Sequence, residues 1–278
     1  MLGISLRYCR FELGLGWYGN YDGYDLAALT LLSHGPPVRH LPSAQSPLLT
    51  FEQLYLLSTF YEIRPVAVLL SLAIDVTTTY IPFRLLRPLS LAHSTSNTRY
   101  WVKVPNNEIL SSTSIQIYAT ILAGAIYAVT LYTAYASFLP VLLATYFSNI
   151  PTVAPAHAST PISLFPLSIF LGLAAKCFIF TPAVAAEPSL ADAKKAAFNP
   201  ATASLGEHVV YNVWGYSKRT KVVITRTATL MLVTGVNTFV QAFFTIEGVE
   251  AEGAVGFSLV WLVASGITGA ALGAVCAI

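Results

Sequence analysis

The sequence predicts an all-α fold: a polytopic transmembrane helical bundle of five spans behind a polar, Gly/Pro-rich N-terminal tail. Three observations predict it. Hydrophobic residues make up 55% of the 278 and charged residues only 10%, against about 25% charged in soluble domains. The apolar runs are too long for core strands. Lys and Arg collect in alternate loops between those runs. The clearest run is Val222–Ile246, with Lys218, Arg219 and Lys221 before it and Glu247, Glu250 and Glu252 after it. As helix it covers about 37 Å, enough to cross a hydrocarbon layer of about 30 Å with some tilt.

Residues 1–50 read as the tail and 51–278 as the membrane domain. Gly14-Leu15-Gly16-Trp17-Tyr18-Gly19 fits G-x-G-x-x-G in spelling. A dinucleotide site needs a strand before that motif and a helix opening on it. Here Asn20-Tyr21-Asp22-Gly23 follows, which is turn chemistry, so no nucleotide site is assigned. His34–Pro37 and Leu41–Pro47 read as loop. Leu26–Leu32 is apolar but too short to span, and is expected on the membrane surface or against a partner.

The first span is expected at 65–82, with Pro65 suited to the first helical position and Thr50–Tyr61 as an interfacial approach helix. The second is expected at 115–139. Its apolar pattern runs on to Phe147, 33 residues from Ile115, or about 50 Å of helix. That exceeds one crossing, so Pro140 is expected to kink the chain and lay Val141–Phe147 along the interface. The third span is expected at 162–183 and the fourth at 222–246, with the aromatics of Val209–Tyr216 at headgroup level ahead of it. The fifth is expected at 254–278. A sixth crossing within residues 26–61 is the variant.

Loop 83–114 holds four basic residues, Arg84, Arg87, Arg99 and Lys103. Loop 184–221 holds five, Lys194, Lys195, Lys218, Arg219 and Lys221; loops 148–161 and 247–253 hold none. On the positive-inside rule both basic loops and the C-terminus face the cytoplasm, and the N-terminus lies outside or in a lumen. The net charge of +2 carries little, since distribution matters more than sum in a membrane protein.

Catalytic signatures are absent: no G-x-S-x-G, H-E-x-x-H, P-loop or C-x-x-C, and no paired carboxylates on one helix. Cys9, Cys177 and Cys276 are too scattered for a disulfide framework or a zinc site. No cofactor, metal site or catalytic residue is assigned. The start lacks secretory-signal features and there is no N-glycosylation acceptor, so an internal membrane such as the endoplasmic reticulum is favoured.

Four groups of residues are candidates for a role. Asp75, Lys176 and Arg226 are ionisable groups inside three spans, at similar depth near the cytoplasmic side. Such groups are costly in lipid and need a reason. A buried pair that fixes which helices meet ranks above a proton or ion path, and both above catalysis. Thr234, Asn237 and Gln241 share the Arg226 face of the fourth span, which should point away from lipid. Ser265, Gly269, Gly273 and Ala277 form a small-xxx-small stripe suited to close helix packing within the chain or in a homo-oligomer. Lys218, Arg219 and Lys221 form a juxtamembrane cluster suited to anionic lipid headgroups.

The expected function is that of a non-enzymatic assembly, scaffold or accessory protein. Its partners are the lipid bilayer and another membrane protein or a second copy. The alternative is a small transporter or channel subunit using the charged trio. An intramembrane enzyme acting on a lipid-like substrate ranks third. Nucleic acid is not a partner, because the basic residues hug the membrane.

Overall fold

The computed structural model describes residues 14–33, 60, 65–94, 106–148, 150, 152–189, 192–193, 197–246 and 248–277. Helices build the fold, and no strand forms among the described residues. In chain order they are α1 (Gly23–Ser33), α2 (Pro65–Leu86), α3 (Asn107–Ser111), α4 (Thr113–Ala136), α5 (Leu139–Tyr146) and α6 (Ala154–Ala158). There follow α7 (Pro161–Ala175), a π-helical turn (Lys176–Phe180), α8 (Thr181–Val184), α9 (Leu205–Trp214), α10 (Lys218–Thr245) and α11 (Ala251–Ala277).

Among the described residues, four helical stretches are long and apolar enough to cross a membrane: Thr113–Ala136, Pro161–Val184, Lys218–Phe244 and Ala251–Cys276. The first expected span corresponds to α2, a helix of 22 residues that is not among these four. The expected approach helix at 50–61 lies outside the described residues, apart from Phe60.

Close backbone approach sets the packing. A Cβ on Gly172 of α7 would stand 2.4 Å from the Thr120 carbonyl oxygen and 2.5 Å from the Gly124 nitrogen of α4. Only glycine admits that approach, which draws the second and third spans together. Between α10 and α11, Gly269 faces Thr227 and Gly273 faces Val223. Ser265 turns elsewhere, its hydroxyl 3.2 Å from that of Tyr127 on α4. The side chain of Ala277 lies outside the described residues.

The chain breaks after Ala136, and Pro140 sits in the first turn of α5. Leu139 and Leu143 are fully buried. α5 therefore packs into the fold, meeting Gly253 and Gly256 of α11 through Tyr146 and Leu142. The Ser148 amide donates to Gly248 and the Glu250 amide to Tyr146. These contacts gather α5 and the acidic loop at one end of the bundle. The basic loops start from the other end.

The largest departure from expectation is α1. The segment expected as a polar tail contains a helix buried inside the bundle, with Leu26 and Leu29 wholly enclosed and Leu32 nearly so. α1 packs on α2, α7, the π turn and α10. Its buried hydroxyls are satisfied locally, Thr30 donating to Leu26 O at 2.8 Å and Ser33 to Leu29 O at 2.6 Å. It runs parallel to α10, with Asp25 beside Arg226 and Ser33 beside Asn237.

Candidate functional site: the charged clasp around the N-terminal helix

The site begins with a helix cap. Asp22 precedes α1, and its Oδ1 accepts from the Asp25 amide at 2.8 Å. The Asp22 amide in turn donates to Asp25 Oδ2 at 3.4 Å. This is a reciprocal capping box built from two aspartates, and both suit the positive end of a helix. Asn20 supports the turn before it in the left-handed region, φ 55°, which asparagine tolerates better than most residues.

The third span supplies the other half. Pro182 has no N–H, so it cannot donate to the carbonyl four residues back, that of Phe178. One residue earlier, the Thr181 amide bonds to Lys176 O rather than Cys177 O, which is the π turn. Two neighbouring carbonyls thus lose their helical partners, and side chains take them up. Arg226 Nη1 donates to Phe178 O at 2.8 Å. His93 Nε2 lies 3.3 Å from Cys177 O.

Each of these side chains also holds one aspartate of the cap. Arg226 meets Asp25 with both terminal nitrogens, Nη1 to Oδ1 at 2.5 Å and Nη2 to Oδ2 at 2.9 Å. Such fork-to-fork pairing is the strong form of the interaction. The guanidinium also lies over the rings of Tyr21 (4.9 Å) and Phe178 (5.1 Å). His93 Nδ1 lies 2.8 Å from Asp22 Oδ2, which also accepts from the Ser90 amide at 2.9 Å. Both ring nitrogens of His93 thus face oxygens, one of the cap and one of the third span. Two parallel arms result: Asp22–His93–Cys177 and Asp25–Arg226–Phe178.

Burial alone would push the Asp22 carboxyl up. The hydrogen bond and charge of His93, with the Ser90 and Asp25 amides, outweigh it and hold Asp22 below the usual carboxylate range. A third attachment sits beside the arms. Arg87 donates to the carbonyls of Gly16 (3.2 Å), Tyr21 (3.0 Å) and Trp17 (3.4 Å), with the Trp17 ring 5.0 Å beneath it. Of the glycines in the G-x-G-x-x-G spelling, Gly16 serves chain packing, sitting under Phe83 and Leu26.

The far end of α1 is held as well. Thr234 Oγ1 donates to Leu32 O at 3.3 Å, and the Asn237 amide donates to Ser33 O. Gln241 donates to Asn237 Oδ1 at 3.1 Å. The polar face of the fourth span is therefore the cradle for the last carbonyls of α1, which α1 itself cannot satisfy.

The expected charged trio is rearranged. Arg226 takes Asp25, on a segment read as tail, as its acid. Lys176 opens the π turn, two residues from the carbonyl that Arg226 holds. The side chain of Asp75 lies outside the described residues. Residues 14–22, expected on the side opposite the basic loops, sit with Arg87, Ser90 and His93 at the basic end. The physical reason is pairing: these acids and carbonyls find their donors there. Sequence spacing signalled part of this, since Asp22-x-x-Asp25 before Leu26, Leu29 and Leu32 is a cap followed by an apolar face.

Asp22, Asp25 and His93 bring three ligand-type atoms within 4.8 Å of one another. Their oxygens already accept from amides, an imidazole and a guanidinium, and Arg226 places positive charge where a cation would sit. The residues do not fit a metal. Elsewhere, the Lys218 amide donates to Asp192 Oδ1 at 2.9 Å, and Lys221 Nζ lies 5.8 Å over the Trp214 ring. The Ser189 amide, followed by that of Lys218, lowers the Asp192 carboxyl below its ordinary value against the pull of desolvation. An apolar groove of about 680 Å³ runs between α4 and α11, lined by Ile126, Val129, Leu259 and Val263 among others. It lies away from the clasp. Compared with known proteins, the chain matches no family model, no curated protein and no solved structure.

Proposed function

We propose that this is a non-enzymatic multi-pass membrane protein, an assembly, scaffold or accessory component of an internal membrane. The observation that carries the reading is the clasp. Asp22, Asp25, His93 and Arg226 are each engaged by the protein's own groups, so these charges fix helix positions rather than await a substrate. α2 serves as a fifth crossing. With the basic loops on the cytoplasmic side, residues 14–22 lie there too, which requires one crossing more than the five expected. The ring of Phe60 meets Tyr135 near the end of α4 at 5.9 Å.

The alternative is a small transporter subunit, and one observation favours it. α1 is a short helix ending at buried carbonyls beside Asn237, the kind of interrupted helix that lines transporter sites. The two readings separate in reconstituted vesicles. The assembly reading predicts that Asp25→Asn lowers the yield of folded protein, and that neither wild type nor variant carries a proton or ion flux. A flux in wild type that Asp25→Asn abolishes, at full folded yield, would establish transport instead.

A further inference from the structure

α9 is bare along its apolar side, and none of its residues is buried. At about 100° per residue, Leu205, Val209, Val210, Val213 and Trp214 fill one half of the helix. Glu207, His208, Tyr211 and Asn212 fill the other. The preceding loop touches the polar half at two residues. Phe198 stacks on Tyr211 at 4.0 Å and meets His208 edge-on at 5.4 Å, while His208 Nε2 lies 3.1 Å from Pro200 O. Leu205 is 83% exposed, and Val210 and Val213 are each 65% exposed. A helix at a water-facing surface would show the reverse.

What covers the apolar half is indicated by its neighbours. α10 begins four residues after Trp214, so α9 stands where a long apolar helix opens. Lys218, Arg219 and Lys221 lie at the Trp214 end, with Lys221 over the Trp214 ring. Apolar face and basic cluster therefore adjoin. We infer that α9 is an in-plane anchor on the anionic leaflet at the basic end of the bundle. Its apolar half sits at the boundary of headgroups and acyl chains, with Lys218 and Lys221 against anionic headgroups. The inference rests on α10 crossing a bilayer and not on the assembly reading.

The test uses the full-length chain with its three cysteines replaced. Single cysteines at Val209, Asn212 or Leu232 carry a spin label in vesicles of phosphatidylcholine, with or without phosphatidylserine. Collision with oxygen reports immersion, and collision with a water-soluble nickel chelate reports exposure. Leu232, exposed on the middle of α10, should be shielded from nickel in both vesicles. The label at Val209 should lose nickel access several-fold more than the one at Asn212, and only where phosphatidylserine is present. Val209 as nickel-accessible as Asn212 in the anionic vesicles overturns the anchor. So does shielding of Val209 that ignores lipid charge, or spin–spin broadening there, which would mean a second copy covers the face. A nickel-accessible Leu232 would instead remove the span itself, and the anchor with it.

Discussion

Arg226 is the residue on which most of the buried chemistry converges. It serves a carboxylate, a carbonyl and two aromatic faces at once. A buried pair of this kind adds little net stability compared with a well-packed apolar pair, yet losing one partner strands the other. Asp25→Asn should therefore cost about 3–5 kcal/mol, read as thermal unfolding in detergent, and adding Arg226→Gln should return part of it. Asp22 sets a pH dependence. Its folded pKa lies below the ordinary value of 3.8, so its contribution is present above that value and is lost as pH falls through the lower, folded one. The stability gap between wild type and Asp22→Asn should hold from about pH 5 to about pH 4 and close only below the usual carboxylate range. Melting curves across that interval check it. The acid partner of Arg226 was not legible in the sequence, because Asp25 is 201 positions away and sits in a stretch whose Gly, Tyr and Asp content reads as turn.

At the scale of elements, Pro182 is the determinant of the π turn and of the carbonyl that Arg226 takes. Pro182→Ala supplies an N–H to Phe178 O, in competition with the guanidinium. Hydrogen exchange should then show α1 less protected, by about 1–2 kcal/mol, while α8 gains protection. The four strongest spans were legible from length and flanking charge, because hydrocarbon thickness leaves little freedom. The third span hid its π turn, since Lys176–Phe180 has no compositional mark beyond the proline that follows. Leu26–Leu32 was legible as an apolar segment, but its place inside the bundle was not, for a related reason. Eleven residues are too few to cross, and the length criterion is blind to a helix sheltered by protein rather than lipid. The Pro140 break was legible, but burial of Leu139 and Leu143 was not, because it depends on Gly253 and Gly256 far along the chain. The approach of α4 and α7 is similarly strict. Gly172→Ala should cost about 1–3 kcal/mol from overpacking against backbone, and Gly172→Leu should reduce the folded yield in membranes.

Over the whole molecule, charge sorts the two ends. One end gathers Arg87, His93 and Lys218 with residues 14–22, and the other gathers α5 with Glu250 and Glu252. Accessible tags before residue 14 and within 95–105 should therefore label from the same side of a sealed membrane. The expectation of an outer N-terminal tail came from counting loops, and a sixth crossing within 26–61 would reverse it. The central claim is that α1 lies inside the bundle alongside α10, held at both ends. Disulfide trapping tests it most directly, with Ser33→Cys and Asn237→Cys in a chain whose own cysteines are replaced, oxidised in native membranes and mapped by peptide mass. The account predicts a covalent link between the peptides carrying residues 33 and 237, with both thiols shielded from a water-soluble maleimide before oxidation. No link, with the thiol at position 33 freely alkylated from the aqueous side, would contradict it.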